Sequence, residues 1–396
     1  MDHRARYLTL QDQLSRNQAF WRPAPFHVAR PEWCARQPEW AAQALQLDDV
    51  EVERLNADNA ALIAWAGEFV PELRALQTLI ELPRLELPAD AEAIPGRLAW
   101  GMPGRKQAQA EAFAEAVEAT EHPILEWCAG KGHLGRLLAE RARQPVLSLD
   151  VDATLCREGE LLAERAHVDQ HFICADALNA DAAVHLAGRH AIALHACGDL
   201  HLALLRGAVG QRAAAVDLAP CCYYRTRDAV YRPLNPEGTL HLTRDELHLP
   251  VTDTATAGAR ARRLRDQAMA WKLAFVKLRE DLAGVPTTRT FKPVPSSWLS
   301  LGFEGWCCRL AEREGLDVPA HYDWAALEAH GWQRQREVMR LSLVRHVFRR
   351  PLEVWLALDR ALFLERAGYR VRLAEFCGRE LTPRNLFISA RQYNDR

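Results

Sequence analysis

The stretch Glu126-Trp127-Cys128-Ala129-Gly130-Lys131-Gly132-His133-Leu134-Gly135 decides how this chain is read. It follows the short apolar run Pro123–Cys128 and opens a helix predicted over Leu134–Arg143. A glycine-rich turn between a strand and a helix points backbone amides and a helix N-terminus at a common spot, where a ligand can come close. Gly130 and Gly132 keep side chains away from the point of approach, and Gly135 lets the helix pack against the strand.

Outward from this turn, apolar runs and helix-forming segments alternate. Further strands are predicted at Pro145–Asp150, Asp169–Cys174, His190–Ala196 and Ala214–Ala219. Helices are predicted at Arg105–Ala119, Ala153–Ala166, Ala180–Ala187 and Asp199–Val209. Strands separated by helices make a parallel, doubly wound sheet. The alternation stops after Tyr224, where helices are expected at Ala257–Leu282, Glu304–Glu314 and Trp324–Phe348. A helix at Glu353–Ala367 and strands at Tyr369–Phe376 and Asn385–Ala390 follow, in the manner of a closing hairpin. The expected fold is α/β and Rossmann-like. A helical region (1–95) precedes the first part of the core (96–230). A basic, mainly helical insertion after strand five (231–350) precedes the closing helix and hairpin (351–396). Within the first region, helices are expected at Val50–Gly67 and Pro71–Ile80, and Leu82–Pro88 reads as a proline-punctuated linker.

Acidic residues flank the turn. Asp150 ends the second strand, placed to accept hydrogen bonds from two ribose hydroxyls. Asp176, beside Ala177 after the third strand, is placed for the amino edge of an adenine. The G-x-G-x-x-G spacing of Gly130, Gly132 and Gly135 serves a dinucleotide equally well, so spacing does not decide the ligand. Glu126, at the end of the first strand, suits a ligand ammonium and would repel a pyrophosphate. With Asp176 it favours S-adenosylmethionine over NAD. Cys128 and His195 complete the expected lining of the cofactor crevice.

Glu126–Gly135, His195-Ala196-Cys197-Gly198-Asp199-Leu200 and Cys221-Cys222-Tyr223-Tyr224 resemble a family of class I S-adenosylmethionine-dependent methyltransferases. That family contains the eukaryotic methyltransferase-like proteins and the tRNA acceptor-stem 2′-O-methyltransferases. Met102–Lys106 resembles its basic segment ahead of the first helix, which adds Lys106 to the cofactor-binding set, and Leu381–Leu386 resembles its closing strand. The resemblance implies a seven-stranded methyltransferase sheet and methyl transfer. It covers about 100–225 and 350–392, with Tyr223-Tyr224 where the tRNA enzymes have two histidines.

Ligands of an open parallel sheet bind beyond the carboxyl ends of its strands. His195 and Asp199 after strand four, and Cys221, Cys222, Tyr223 and Tyr224 after strand five, therefore share the crevice with the glycine turn. Transfer to a hydroxyl or amide needs an aligned acceptor and a proton acceptor, for which His195 and Asp199 are suited. Tyr223 and Tyr224 are suited to stacking on a planar acceptor. Asp199 is equally placed to cap the next helix, and the cysteines to fill space. Adjacent cysteines rarely chelate one tetrahedral zinc together, so no metal is expected.

The 396 residues carry a net charge of −2, which hides an asymmetry. Residues 256–396 hold 25 basic against 16 acidic side chains, a net +9. Arg260, Arg262, Arg263, Arg265, Lys272, Lys277 and Arg279 lie on one predicted helix, and Arg334, Arg336, Arg340, Arg345 and Arg349 on or just beyond another. Trp271, Trp298, Trp306, Trp324 and Trp332 are interleaved with them. Arginine with aromatics is the footprint of RNA contact, and equally of amphipathic helices whose arginine stems cover a tryptophan core. RNA is the expected acceptor, with a protein or small molecule as alternatives and a non-catalytic binding protein as the reading of another class. An apolar fraction of 49% excludes disorder as the main state. No apolar run is long enough to span a membrane, no secretory leader is read, and the ten cysteines form no Cys-x-x-Cys pair, so a cytoplasmic location is expected.

Overall fold

In a computed structural model, which describes residues 1–85, 95–252, 258–284 and 291–393, the apolar runs become one seven-stranded sheet. Its strands are β1 (Ile124–Trp127), β2 (Val146–Asp150), β3 (Gln170–Cys174), β4 (His190–Cys197), β5 (Ala215–Cys221), β6 (Tyr369–Glu375) and β7 (Leu386–Gln392). Their order is β3-β2-β1-β4-β5-β7-β6. The first five run parallel, and β7 is antiparallel to both β5 and β6. The chain progresses one way from β1 to β3 and the other way from β4 to β5. The crevice therefore opens beyond the carboxyl ends of β1 and β4, where the order reverses.

Burial on both faces explains why these strands read as apolar runs. Every residue of β5 is buried. Its one charge, Asp217, is fully enclosed and accepts from the two terminal guanidinium nitrogens, Nη1 and Nη2, of Arg391 on β7, each at 2.9 Å. His190 Nε2 on β4 lies 2.8 Å from the same carboxylate. Three neighbouring strands are thus pinned by one carboxylate.

The chain divides into two compact units. One comprises Met1–Arg16, Ala75–Thr256 and Phe348–Arg396; the other comprises Asn17–Arg74 and Ala257–Val347. The first contains the sheet. Its N-terminal helix α1 (His3–Arg16) places Tyr7 flat against Trp355, with ring centroids 5.4 Å apart. Helix α2 (Gly104–Ala116) precedes β1; α3 (His133–Ala142), α4 (Ala153–Ala166) and α5 (Asp199–Gln211) follow β1, β2 and β4. In the second unit, α6 (Ala259–Ala283) packs along α8 (Trp324–His346), with α7 (Gly302–Glu314) beside them. Ala270 and Ala274 leave room for Gly331, where a Cβ would collide with the Ala270 carbonyl. Helix α9 (Arg349–Arg366) belongs to the first unit and carries Pro351 in its opening turn, where a missing N–H costs nothing.

Val50–Gly67, expected as one helix, is two: Asp49–Ala57 and Asn59–Phe69. The break is chemical, since the Asp58 carboxylate accepts from Ala60 N at 2.8 Å and Ala61 N at 3.2 Å, capping a new helix. In the expected linker, Pro83 and Leu85 pair through their backbones with Glu375 at the end of β6, and residues 86–88 lie outside the described residues. Among the described residues, no helix is long and apolar enough to cross a membrane.

Burial alone would raise the Asp217 pKa, but His190 and Arg391 outweigh it and hold the carboxylate below its ordinary value. A carboxylate depressed in the folded state adds stability above its unfolded pKa of about 4, and that stability disappears as the pH falls further. Asp217→Asn should therefore flatten the acid limb of a stability-versus-pH curve measured by thermal melting. Asp217→Ala should cost about 3 kcal/mol at neutral pH, because it strands the partners of a buried pair.

Candidate functional site

The glycine turn is held from beneath by three side chains in series. Glu126 on β1 is 4% exposed, and its Oε2 accepts from Ser148 Oγ on β2 at 2.7 Å. Gln170 Nε2 on β3 donates to Ser148 Oγ at 2.8 Å and to the Gly132 carbonyl at 2.9 Å. The Gly135 amide also donates to Glu126. A Cβ on Gly135 would collide with Glu126 Oε2, Gln170 Nε2 and Ser148 Oγ, which is why this position is glycine. Glu126 thus sits under the turn as a support. The expectation that its carboxylate faces a ligand ammonium is corrected, because the carboxylate is enclosed by its own partners. Burial pushes its pKa up to about 7, against the lowering pull of Ser148, Gly135 and Arg136.

Above this support the backbone is left-handed at Cys128 (φ 59°), Gly130 (φ 59°) and Gly132 (φ 62°). At Gly132 a side chain would meet Gln170 and Phe172, whereas at Gly130 a Cβ would meet nothing within 4 Å. Gly130 is therefore the residue that faces open space. Its amide donates to Asp150 Oδ2 at 2.8 Å, tying the turn to the end of β2, and Asp150 Oδ1 accepts from Asp152 N at 3.0 Å. Asp176 Oδ1 accepts from Leu178 N at 2.9 Å, and Ala177 beside it is buried. Burial pushes the Cys128 thiol up to about 12, and the nearby charges of Asp150, Cys197 and Asp176 act the same way. Lys106 is exposed on the first turn of α2.

On the other side of the crevice, β4 is irregular between Leu194 and Cys197, where His195 has φ 63°. Gln109, on α2, donates its amide to the Leu381 carbonyl at 3.1 Å. Its Oε1 therefore faces His195 Nε2, 3.2 Å away, as the acceptor. That arrangement places the His195 proton on Nε2 and leaves Nδ1 as the accepting nitrogen. Burial, with Arg384 contributing, lowers the His195 pKa to about 4, so the ring is neutral near pH 7. The sequence reading missed Gln109. Its signal was the spacing of four to Arg105, which reaches the same Leu381 carbonyl from the same helix face.

Asp199 opens α5, and its Oδ2 accepts from Arg227 N at 2.7 Å, so it binds the loop after β5 to that helix. Gly198 is the N-cap, and a Cβ there would strike the Arg225 carbonyl. Tyr223 does not stack on an acceptor: it is 3% exposed, beneath the Arg360 guanidinium and edge-on to His201. Tyr223 and Tyr224 lie in a turn closed by the Arg225 amide on the Cys222 carbonyl at 2.9 Å, and Tyr224 is half-buried. It stacks on His248 with ring centroids 3.7 Å apart. Cys197, Cys221 and Cys222 converge, with all three Sγ atoms within 4.8 Å of one another.

The basic third is largely committed within the second unit. Arg345 donates to the Trp21 carbonyl at 2.7 Å, and Arg340 to the Leu47 carbonyl at 2.7 Å and to Asp49 at 2.9 Å. Arg334 is bound to Glu337 and the Pro25 carbonyl, and buried Arg279 to Glu314. Trp271 and Trp306 are buried core residues. These side chains take the second of the two expected roles, arginine stems held against a tryptophan-containing core. Arg260 and Arg263, on the first turns of α6, are exposed.

Residues 105–228 match a family described as a methyltransferase domain. Among solved structures, the chain is similar to a tRNA (uracil-54, C5)-methyltransferase from Pyrococcus abyssi in complex with S-adenosyl-L-homocysteine. The identity is 20% over 28% of this chain and 27% of that one, with a TM-score of 0.24, so well under half of that protein is spanned. An rRNA methylase from Streptococcus thermophilus matches at 17% identity over 35% of this chain and 93% of its own, with a TM-score of 0.24. The 23S rRNA methyltransferase ErmE matches at 16% identity over 52% and 97%, with a TM-score of 0.25.

Two outcomes follow for the turn. Gly130→Ala should cost only about 1 kcal/mol in a denaturant melt, the price of a left-handed alanine, while Gly135→Ala should cost about 3 kcal/mol through overpacking. Glu126 has its folded pKa raised from 4.5 to about 7, so the stability of its protonated form is complete below the first value and lost as the pH rises through the second. Wild type should therefore lose stability relative to Glu126→Gln between about pH 5 and about pH 8. A constant difference across that range would contradict this assignment.

Proposed function

We propose that this chain is an S-adenosylmethionine-dependent methyltransferase whose acceptor is RNA. The observation that carries the reading is the open space before Gly130, at the point where strand order reverses, between acids at the ends of β2 and β3. The match of residues 105–228 to a methyltransferase domain supports it.

The residues present fit such a cofactor. Gly130 allows an approach no side chain would permit. The two Asp150 oxygens each accept one backbone N–H, and a carboxylate keeps further lone pairs for two ribose hydroxyls. Asp176 would receive the adenine amino group, with Ala177 and Cys128 beside it. When bound, S-adenosylmethionine supplies an electrophilic methyl group on a sulfonium.

The remaining work falls to side chains of β4 and the loop after β5. His195 Nδ1 takes the proton released by the acceptor, and Gln109 fixes the tautomer that makes this possible. A depressed pKa keeps that nitrogen unprotonated at neutral pH. Asp199 acts as a positioning residue through the Arg227 amide. Tyr224 and the exposed ring of His248 form an aromatic pair on which an unpaired base can stack, which favours RNA over the alternatives.

The test is incubation with methyl-labelled S-adenosylmethionine and separated RNA, protein and small-molecule fractions of a cell extract. Label should enter RNA. It should be lost with Asp150→Ala and fall by about 10²–10⁴-fold with His195→Ala. Label in the protein or small-molecule fraction would overturn the acceptor. Absence of label everywhere, with no binding of S-adenosylhomocysteine by calorimetry, would overturn the reading as a whole.

A further inference from the structure

Cys197, Cys221 and Cys222 meet at the carboxyl ends of β4 and β5 in a way that extended strands do not produce. Neighbours in a strand point to opposite faces, so Cys221 and Cys222 should not share a target. They do because Cys222 adopts φ 43°, a left-handed backbone unusual for a residue with a Cβ. The second left-handed residue, His195, sits in the irregularity of β4 that brings Cys197 opposite Cys221, with the two Sγ atoms 3.4 Å apart. A positive φ at a non-glycine position costs about 1 kcal/mol or more, and the fold carries two of them around the same three sulfurs.

We propose that Cys197, Cys221 and Cys222 form a three-thiolate site for a soft divalent cation, zinc above all, with a fourth coordination position open to the crevice. Thiolates at about 2.3 Å from a tetrahedral zinc stand about 3.8 Å from one another. Sulfurs all within 4.8 Å therefore need little rearrangement. Among the described residues, no histidine or carboxylate joins the group. Three protein ligands with one position free is the pattern of catalytic zinc, whereas structural zinc takes four. Cys221 is buried while Cys197 and Cys222 are half-buried, so the accessible side of the cluster is theirs. Cys197 ends β4 and Cys222 follows β5, at the carboxyl edge of the sheet where the crevice opens. Three thiolates and a divalent cation leave one negative charge, and Arg225 and Arg384 stand near Cys222 to balance it. The open position would take water or a nitrogen, oxygen or sulfur atom of a bound acceptor. The site does not depend on the methyltransferase reading, because metal binding is measured without turnover.

The experiment uses the full chain, reduced and stripped of metal with a chelator, then titrated with Zn²⁺ against a chromophoric competitor and separately with Co²⁺. One equivalent of zinc per chain and a thiolate-to-cobalt charge-transfer band are expected. Cys197→Ser and Cys222→Ser should abolish the band and weaken zinc by about tenfold or more. Cys174→Ser and Cys308→Ser, at exposed thiols elsewhere, should change neither. If the two cluster variants fail to fold, wild type still decides: zinc should slow alkylation of Cys197 and Cys222 as read by peptide mass spectrometry. No cobalt band, or alkylation at the same rate with and without zinc, would overturn the proposal.

Discussion

The hydrogen-bonded series from Glu126 through Ser148 to Gln170 is the constraint on which the site depends. It joins the first three strands beneath the glycine turn and holds the Gly132 carbonyl and the Gly135 amide from below. Each member is buried, so breaking the series would leave a polar group enclosed without a partner. Because the turn is held from inside, its outer surface needs no side chains of its own. That is what leaves Gly130 facing open space with the Asp150 carboxylate at its side.

The same economy of position appears across the crevice. The loop after β5 is tied to the start of α5 through Asp199, and Gly198 lets the Arg225 carbonyl come close. Tyr223 locks the loop inward against Arg360 and His201, while half-buried Tyr224 stacks on His248. His195 is oriented from a different helix, through Gln109. Side chains of α2, β4 and the loop after β5 are thus held by partners far away in sequence.

The sheet was legible because buried strands must be apolar on both faces, and all seven predicted runs became strands to within two residues at either end. The acids at strand ends were legible for the same reason, since a charge that closes an apolar run marks the edge of the core. Side-chain direction was not legible. Glu126 lies in a strand end like Asp150, yet one is enclosed and the other reaches the turn, and only the partners on β2 and β3 decide this. Arg340 and Arg345 fit either an RNA contact or a core-covering role in sequence, and their partners, backbone carbonyls at residues 21 and 47, are revealed by no local pattern. The expectation against a metal rested on the adjacency of Cys221 and Cys222, and the left-handed φ of Cys222 is invisible in composition.

The crevice above Gly130 is the centre of the proposed cofactor site. Hydrogen–deuterium exchange with and without S-adenosylhomocysteine tests it most directly. Protection is predicted at residues 128–133, 150–152 and 176–178, three short segments brought together only by the sheet. Unchanged exchange in those segments at saturating ligand, or protection confined to residues 259–283, would contradict it.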